Sequence, residues 1–343
     1  MPAPSRRGAA GRATGLALSF IVVAAAACAP RLQEPGPLST APVAPSLDAA
    51  GFTTADGLTL PVRRWLPAGE PRAAIVALHG FNDYSKAFED PGRWLADRGI
   101  AVYAYDQRGF GETPQRGIWP GTELMVEDLK AMARLVGGRH APAPLFLLGE
   151  SMGAAVVMVA LAGEEPPPHD GAVLVAPAVW SRTTMPGVQA TGLDLIAHIA
   201  PWLPVDGRGF KRRPSDNTEM LEALGRDPLV IKETRFDAVY GMVNLMDQAL
   251  DSVERLDGRV LILLGDHEDI IPQAPLDELL RRLPRQAAEG PRLAVYSSGY
   301  HMLLRDLQAE VVLTDIAHWI GDVHAPLPSA ADHRGAARLA AEP

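Results

Sequence analysis

Short apolar runs of strand length alternate with segments of helical periodicity along most of the chain. Runs without polar alternation are typical of strands that are buried on both faces of a parallel sheet. They lie at 73–78, 100–105, 145–148, 172–175, 260–264 and 293–296. Segments with one apolar helical face lie at 122–136, from Met152 onwards, at 273–283 and at 306–320. This alternation predicts an α/β fold with a mostly parallel, doubly wound sheet.

Two regions depart from the alternation. Residues 52–66 predict two short strands that turn at Asp56-Gly57, a dipeptide typical of hairpins. Residues 180–256 have no buried-strand pattern but contain helical patches at 193–200, 220–224 and 236–250, which Pro and Gly separate. Because long unstructured loops are uncommon in compact domains, we expect 180–256 to be a helical cap inserted into a core formed by 51–179 and 257–322.

The first 28 residues have the composition of an export signal. Three arginines precede an apolar run at 15–27, which is too short to span a membrane comfortably but suits the core of a signal peptide. Small residues directly precede Cys28, as in bacterial lipoprotein signals, whose cysteine is lipidated and becomes the mature N-terminus. We expect residues 1–28 to be such a signal and the protein to be an exported, membrane-anchored lipoprotein of the cell envelope. The alternative is an ordinary secretory signal with an incidental cysteine.

Composition indicates the character of the two terminal segments and limits the possible partners and disulfides. The Pro- and Ala-rich segment 29–50 predicts a flexible tether, and 323–343 predicts a disordered tail. The net charge is −9 and no long basic run is present, which makes nucleic acid a poor partner. Cys28 is the single cysteine, so no disulfide can form within the chain.

The sequence Gly-Glu-Ser-Met-Gly at 149–153 joins an apolar strand to a helix. The spacing G-x-S-x-G places the serine on a tight strand-to-helix turn, where its hydroxyl stands clear of the sheet. The two glycines are needed because larger side chains would collide where the strand and the helix pass. Ser151 is therefore the predicted nucleophile.

The sequence His-Gly-Phe at 79–81 follows the strand one strand–helix unit before this serine. Where a serine occupies such a turn, this loop supplies one backbone N–H to the oxyanion hole, and the residue after the nucleophile supplies the other. We therefore predict Phe81 and Met152 as the two donors. His79 is interpreted as a packed structural histidine, because the general base is expected to follow the nucleophile in the chain.

His301 is the candidate general base. It follows the strand at 293–296 and the turn at 297–299, in a loop where it could meet Ser151 at the carboxyl edge of the sheet. An acid is expected after the strand at 260–264, where three carboxylates compete: Asp266, Glu268 and Asp269. The correct one would accept the N–H of His301 and stabilise its protonated form. Spacing alone leaves all three open.

In their order, these motifs resemble those of the monoacylglycerol lipase and lysophospholipase group of α/β-hydrolases, which are serine aminopeptidase S33-like proteins. The matching segments are His-Gly-Phe at 79–81, Tyr-Asp-Gln-Arg-Gly-Phe-Gly at 105–111, the serine turn at 149–153 and His-Met-Leu-Leu at 301–304. The resemblance covers roughly 52–321 and implies the α/β-hydrolase fold, with Arg108 as a structural support of its turn. The group's acid turn reads Gly-x-x-Asp-x-Ile/Val-Ile/Val-Pro. Glu268 occupies its acid position and Asp269 is displaced by one residue, so the resemblance favours Glu268.

The resemblance implies hydrolysis of a single-chain lipid ester, a monoacylglycerol or a lysophospholipid, through an acyl-enzyme on Ser151. It implies no metal and no organic cofactor. It also implies that the cap forms the acyl-chain pocket, and the apolar residues of the cap fit a tunnel, a membrane-facing lid or simple packing onto the sheet. The alternatives are a carboxylesterase for small soluble esters, an S33-type peptidase and a non-catalytic envelope lipoprotein that only binds its ligand.

Overall fold

The computed structural model describes residues 30–34, 36, 43–206, 212–256, 258–284 and 290–341. The strands are β1 (Ser46–Leu47), β2 (Phe52–Thr53), β3 (Thr59–Leu60), β4 (Val62–Trp65), β5 (Ala73–Leu78), β6 (Ile100–Tyr105), β7 (Leu145–Glu150), β8 (Gly171–Val175), β9 (Pro204–Asp206), β10 (Glu233–Arg235), β11 (Val260–Gly265) and β12 (Arg292–Tyr296). The helices are α1 (Glu89–Ala96), α2 (Thr122–His140), α3 (Met152–Leu161), α4 (Gly187–Ile199), α5 (Thr218–Arg226), α6 (Phe236–Ser252), α7 (Gln273–Arg282), α8 (Ala309–Gly321) and α9 (Ala331–Ala341).

Within the described residues, seven strands form the central sheet in the order β12-β11-β8-β7-β5-β6-β4. All neighbouring pairs are parallel except β4 and β6, which are antiparallel. The inner strands are buried along their whole length, and alternate residues of β5 enter two different apolar layers. Helices α2, α3, α6 and α7 contribute to one layer, and α1 and α8 contribute to the other. The predicted α/β-hydrolase fold is therefore confirmed, and every apolar run predicted as a strand lies in this sheet.

The predicted hairpin at Asp56-Gly57 is formed by β2 and β3, which pair in the antiparallel sense. Strand β1 pairs with the other side of β2, so part of the segment predicted as a tether belongs to a small sheet. Residues 31–34 also contact the core, because Leu32 forms a parallel bridge with Trp119. The prediction of a flexible tether over 29–50 is therefore wrong for these residues, since backbone pairing fixes them to folded neighbours.

The predicted disordered tail at 323–343 is also wrong over its described part, residues 323–341. Helix α9 packs along β12, and the Nε of Arg334 donates to the carbonyl of Val295 at 2.8 Å. A Cβ on Gly335 would lie 2.0 Å from the carbonyl oxygen of Leu293, so this glycine allows the helix to approach the strand. Since β12 is the last strand of the sheet, α9 covers an edge that would otherwise have unpaired backbone groups.

The predicted cap at 180–256 contains α4, α5 and α6 together with β9 and β10, which form a two-stranded antiparallel sheet. Helix α6 packs against α3, the helix that follows the serine turn, and α4 packs against α6. The cap segment thus packs against the helix that directly follows Ser151. In the part of the chain that the structure describes, no helix is both long enough and apolar enough to cross a membrane.

Candidate active site

Ser151 lies between β7 and α3 with backbone angles φ 53° and ψ −111°. Positive φ is uncommon for a residue with a side chain and indicates local strain, which surrounding contacts must hold in place. A Cβ on Gly149 would lie 2.4 Å from the backbone nitrogen of Ala154, and one on Gly153 would lie 2.1 Å from the carbonyl oxygen of Leu78. Both glycines are therefore required for the strand and the helix to pass at this turn, as the motif predicts.

The 79–83 loop lies beside the serine turn. A Cβ on Gly80 would lie 3.5 Å from the Cβ of Ser151, so the loop that precedes Phe81 is in contact distance of the nucleophile. Met152 is the first residue of α3 and is fully buried. The two predicted oxyanion donors thus belong to segments that flank the serine, and the N-terminus of α3 adds a favourable dipole there.

His79 is buried and has a structural role. Its Nδ1 lies 2.8 Å from the carbonyl oxygen of Gly80, and its Nε2 accepts from the backbone N–H of Gln107 at 3.0 Å. Burial lowers the pKa of His79, which favours a neutral ring with these two contacts. The loop at 79–83 is therefore held against the turn after β6.

Glu268 and His301 form a buried pair. Oε2 of Glu268 accepts from Nδ1 of His301 at 2.7 Å, while Oε1 accepts from the backbone N–H groups of Ile270 and Ile271. Burial alone would lower the pKa of His301, but the charge of Glu268 overcomes this effect and holds the pKa above its usual value. Burial would likewise raise the pKa of Glu268, but the imidazole and its hydrogen bonds lower it. The carboxylate is therefore ionised and oriented to stabilise an imidazolium.

The two other candidate acids are placed elsewhere. Oδ2 of Asp269 accepts from the backbone N–H of Arg213 at 2.9 Å, which ties the acid turn to the cap segment. Asp266 is exposed, and its Oδ1 lies 3.8 Å from Nε2 of His267. The structure thus gives His301 the carboxylate that the resemblance favours.

The acid turn and the loop of His301 are held together by their backbones. Asp266 and His267 donate their N–H groups to the carbonyls of Tyr296 and Gly299, at 3.0 and 2.9 Å. A Cβ on Gly265 would lie 2.1 Å from the carbonyl oxygen of Gly299, so only glycine allows this approach. Strands β7, β11 and β12 run parallel, and Ser151, Glu268 and His301 therefore follow their strands at the same edge of the sheet.

A buried ion cluster that the sequence did not reveal connects the same segments. Arg305 donates to Asp83 at 2.8 Å and to Glu150 at 3.0 Å. The side chains of these three residues are only 10%, 8% and 3% exposed. Asp83 belongs to the loop of Phe81, Glu150 directly precedes Ser151, and Arg305 follows His301 by four residues. One guanidinium therefore links three of the four segments that carry the predicted site, the acid turn of Glu268 being the fourth.

We predict that Arg305→Met lowers the free energy of unfolding by about 3–5 kcal/mol, because two carboxylates stay buried without their cation. Arg226→Met is the matched control, since its ion pair with Glu222 is exposed and its loss should cost less than about 1 kcal/mol. Urea denaturation measures both variants. Adding Glu150→Gln to Arg305→Met should recover part of the loss. Equal losses for Arg305→Met and Arg226→Met would contradict this account.

A second buried cluster supports the turn after β6. Arg108 donates to both oxygens of Asp128, at 2.6 and 2.9 Å, and to both oxygens of Asp56, at 2.8 and 2.7 Å. Paired with two carboxylates, Arg108 connects the β2–β3 hairpin, this turn and helix α2. Its role is structural, as its position in the motif suggests.

A cavity beside α5 does not coincide with the predicted triad. It has a volume of about 510 Å³ and lies between α5, the segment at 83–91 and the start of α8. Asp83 and Arg305 belong to its wall, but its lining includes neither Ser151 nor His301. We therefore do not assign it as the substrate site. An apolar cluster lies closer to the oxyanion loop, where the ring of Phe81 packs against Phe110 and Trp119.

A serine on a strained strand–helix turn, with a base and its acid at the same edge of a parallel sheet, places the protein among the serine hydrolases of the α/β-hydrolase fold. A sequence model of the family described as serine aminopeptidase, S33, matches residues 69–308. The chain belongs to this family.

Proteins similar to this chain include monoacylglycerol lipases. The monoacylglycerol lipase of Mycolicibacterium smegmatis is 26% identical over 277 residues, which cover 78% of this chain and 95% of the relative. The human monoglyceride lipase is 26% identical over 297 residues, with 84% and 95% covered. A soluble variant of the Saccharomyces cerevisiae monoglyceride lipase, solved with a substrate analogue, superposes with a TM-score of 0.67 at 21% identity and covers 85% of this chain and 99% of that structure. This structural likeness supports the fold.

Proposed function

We propose that the protein hydrolyses single-chain lipid esters, with monoacylglycerol as the preferred substrate, through an acyl-enzyme on Ser151. The observation that carries the proposal is the buried hydrogen bond between Glu268 and His301, at the sheet edge where Ser151 occupies its strained turn. The substrate class is supported by the relatives, since those named above are monoacylglycerol lipases that match over nearly their whole length.

In the proposed reaction, His301 takes the proton of the Ser151 hydroxyl as its oxygen attacks the ester carbonyl. The backbone N–H groups of Phe81 and Met152 donate to the oxyanion of the tetrahedral intermediate. Protonated His301, stabilised by Glu268, then donates its proton to the departing glycerol oxygen. A water molecule, deprotonated by His301, then attacks the acyl carbon. The bond to the Ser151 oxygen breaks, protonated His301 returns the proton to this oxygen, and the fatty acid leaves.

The apolar side chains around the oxyanion loop suit an acyl chain. Phe81 packs on Trp119, and Trp119 in turn packs against α6, where a Cβ on Gly241 would lie 2.3 Å from its indole ring. These contacts form a closely packed apolar layer between the oxyanion loop and the cap, beside a cavity of only about 10 Å³. A chain of methylene groups gains about 0.8 kcal/mol for each CH₂ removed from water, so an acyl chain that bound against this layer would be favoured in proportion to its length.

We further propose that the protein is an exported lipoprotein attached to a membrane through Cys28. The predicted signal peptide at 1–28 and its cysteine lie outside the described residues, so the support comes from the sequence pattern. A membrane location would suit an enzyme whose substrates reside in lipid bilayers.

A hydrolysis panel tests the activity. Protein lacking residues 1–28 is given p-nitrophenyl esters with short and long chains, a monoacylglycerol and lysophosphatidylcholine, with Ser151→Ala as the blank. We expect the highest kcat/KM for the monoacylglycerol and a clear preference for long acyl chains. Turnover of short esters alone would instead indicate a carboxylesterase, cleavage of N-terminal amino acid amides would indicate a peptidase, and no turnover would favour a binding protein.

A further inference from the structure

The first described residues of the chain are attached to the core rather than free. We call residues 31–34 the N-terminal strap. The backbone N–H of Gln33 donates to the carbonyl of Trp119 at 2.9 Å, and its side-chain Nε2 donates to the carbonyl of Ile118 at 2.8 Å. Gln33 is buried, and the N–H of Glu34 donates to Oε1 of Gln115 at 3.2 Å. These hydrogen bonds hold the strap along the segment at 115–119.

The start of the strap contacts the cap. The backbone N–H of Arg31 donates to Oδ2 of Asp237, the second residue of α6, at 3.3 Å. The backbone N–H of Asp237 donates to the carbonyl of Pro201 at 3.1 Å, and that of Phe236 donates to the carbonyl of Leu203 at 3.0 Å. Asp237 therefore contacts both the start of the strap and the segment at 201–203, which brings the two close together.

That segment continues an exposed apolar stripe on the cap. The stripe consists of Val188, Leu195, Ile199, Trp202 and Leu203, which are between 45% and 82% exposed. Steps of seven, four and three residues from Val188 to Trp202 place most of the stripe on one face of α4. The other face of the helix is turned to the cap, since Ala197 is buried and the ring of His198 contacts Tyr240 of α6. Large apolar side chains that cluster in this way on a surface indicate a binding face.

We propose that the N-terminal strap fixes the exit of the N-terminal segment beside this stripe, so that a lipid on Cys28 and the apolar stripe enter the same bilayer. Cys28 precedes Arg31 by three residues, and three extended residues span at most about 10 Å. The anchor therefore has to reach the membrane on the side of the cap that bears the stripe. The inference rests on the proposed lipid anchor. It assigns a lipid bilayer, rather than a second copy of the chain, as the partner of the stripe.

The docked strap affects how the enzyme is oriented above the bilayer. An anchor on a long free tether would allow the enzyme to tumble above the bilayer, with its cap facing in any direction. An anchor at the end of a docked strap restricts the orientation and raises the effective concentration of the stripe at the lipid surface. The stripe needs no strong affinity of its own, because the anchor supplies the attachment.

The single cysteine allows a direct test. A chain that begins at Cys28 keeps every residue that the structure describes, and it is coupled through this thiol to a maleimide phospholipid in phosphatidylcholine vesicles with brominated acyl chains. Quenching of Trp202 is read as the fluorescence difference between this protein and its Trp202→Phe variant. The control is Cys28→Ser with Glu70→Cys, which moves the anchor to an exposed position before the amino end of β5. This end of the strands is opposite the carboxyl end that Ser151 follows.

We expect quenching of Trp202 to be several-fold stronger with the anchor at position 28 than with the anchor at position 70. Gln33→Ala, which removes the bond to Ile118, should weaken the quenching toward the control value. Equal quenching from both anchors, or none from position 28, would overturn the proposal. A blue shift of Trp202 emission that grows with protein concentration without vesicles would also overturn it, because a second copy would then cover the stripe. No hydrolysis is read, so these results are independent of the proposed activity.

Discussion

Ser151→Ala is expected to lower kcat by about 10⁶-fold, the scale of loss that follows removal of the nucleophile from a serine hydrolase. The residual rate should come from binding and the oxyanion donors alone. The fold should persist, because alanine keeps the Cβ and adds no new contact at the strained backbone position of Ser151. The measurement is the steady-state hydrolysis of a long-chain p-nitrophenyl ester, together with the thermal unfolding midpoint.

Ser297→Ala is the matched control for this prediction. Ser297 is exposed and lies in the turn after β12, close in sequence to His301 but outside the predicted triad. It should retain nearly full activity. A Ser151→Ala variant that is folded and still turns over the ester within tenfold of the parent rate would refute the assigned nucleophile.

Glu268→Gln is expected to lower kcat by about 10³–10⁴-fold, as when the acid of such a triad is made neutral. Glutamine has nearly the same size, but it cannot stabilise the imidazolium, and it can present an N–H to His301 where the ring needs an acceptor. Asp269→Asn is the matched control, because Asp269 accepts from the backbone of Arg213 and should lose little activity. The opposite result, with Asp269→Asn inactive and Glu268→Gln active, would assign the acid to Asp269.

The pH dependence of kcat/KM gives Glu268→Gln a second readout. The base must be neutral to accept a proton, and Glu268 raises the pKa of His301, so the acid limb of the parent enzyme should lie above the usual pKa of histidine, about 6.5. Without the carboxylate, burial dominates and the pKa of His301 falls. The residual activity of Glu268→Gln should therefore persist to lower pH than that of the parent. An unchanged acid limb would show that another group controls it.

The parts of the fold that the sequence predicts well are those fixed by local patterns. The strands at 73–78 and 100–105 are apolar throughout because both faces of the sheet are covered, and this burial leaves a signal in the residues themselves. The serine turn is equally local, since two glycines and a serine within five residues define it when an apolar strand precedes them and a helix follows. Glu268 could be preferred because the resemblance fixed its offset from Gly265, which periodicity alone would not have done.

The missed features depend on contacts between distant residues. Arg305 meets Glu150 across 155 residues and Asp83 across 222 residues, and no local pattern shows that one charge will neutralise the others. A signal was nevertheless present, because Glu150 ends an apolar strand directly before Ser151 and Arg305 directly follows the apolar residues after His301. A charge in such a position is buried only with a partner.

The two terminal segments were misjudged for a related reason. Helix α9 buries Ala331 and Gly335 against β12, and small residues of this kind resemble the composition of a disordered tail. The N-terminal strap is held by backbone hydrogen bonds and by the side chains of Gln33 and Gln115, none of which produces hydrophobic periodicity. Polar and small residues become ordered here because the partner surface exists only in the folded core.

Helix α9 covers the edge strand β12, so the C-terminus affects the solubility of the molecule although it contributes no catalytic group. A premature stop after Ala330 would remove no side chain assigned to the reaction, since Ser151, Glu268 and His301 all precede it. It would nevertheless uncover the carbonyls of Leu293 and Val295, which now face Gly335 and Arg334. Bare strand edges invite pairing with other chains. Self-association, rather than damage to the chemistry, would therefore set the limit on how far this C-terminus can be shortened.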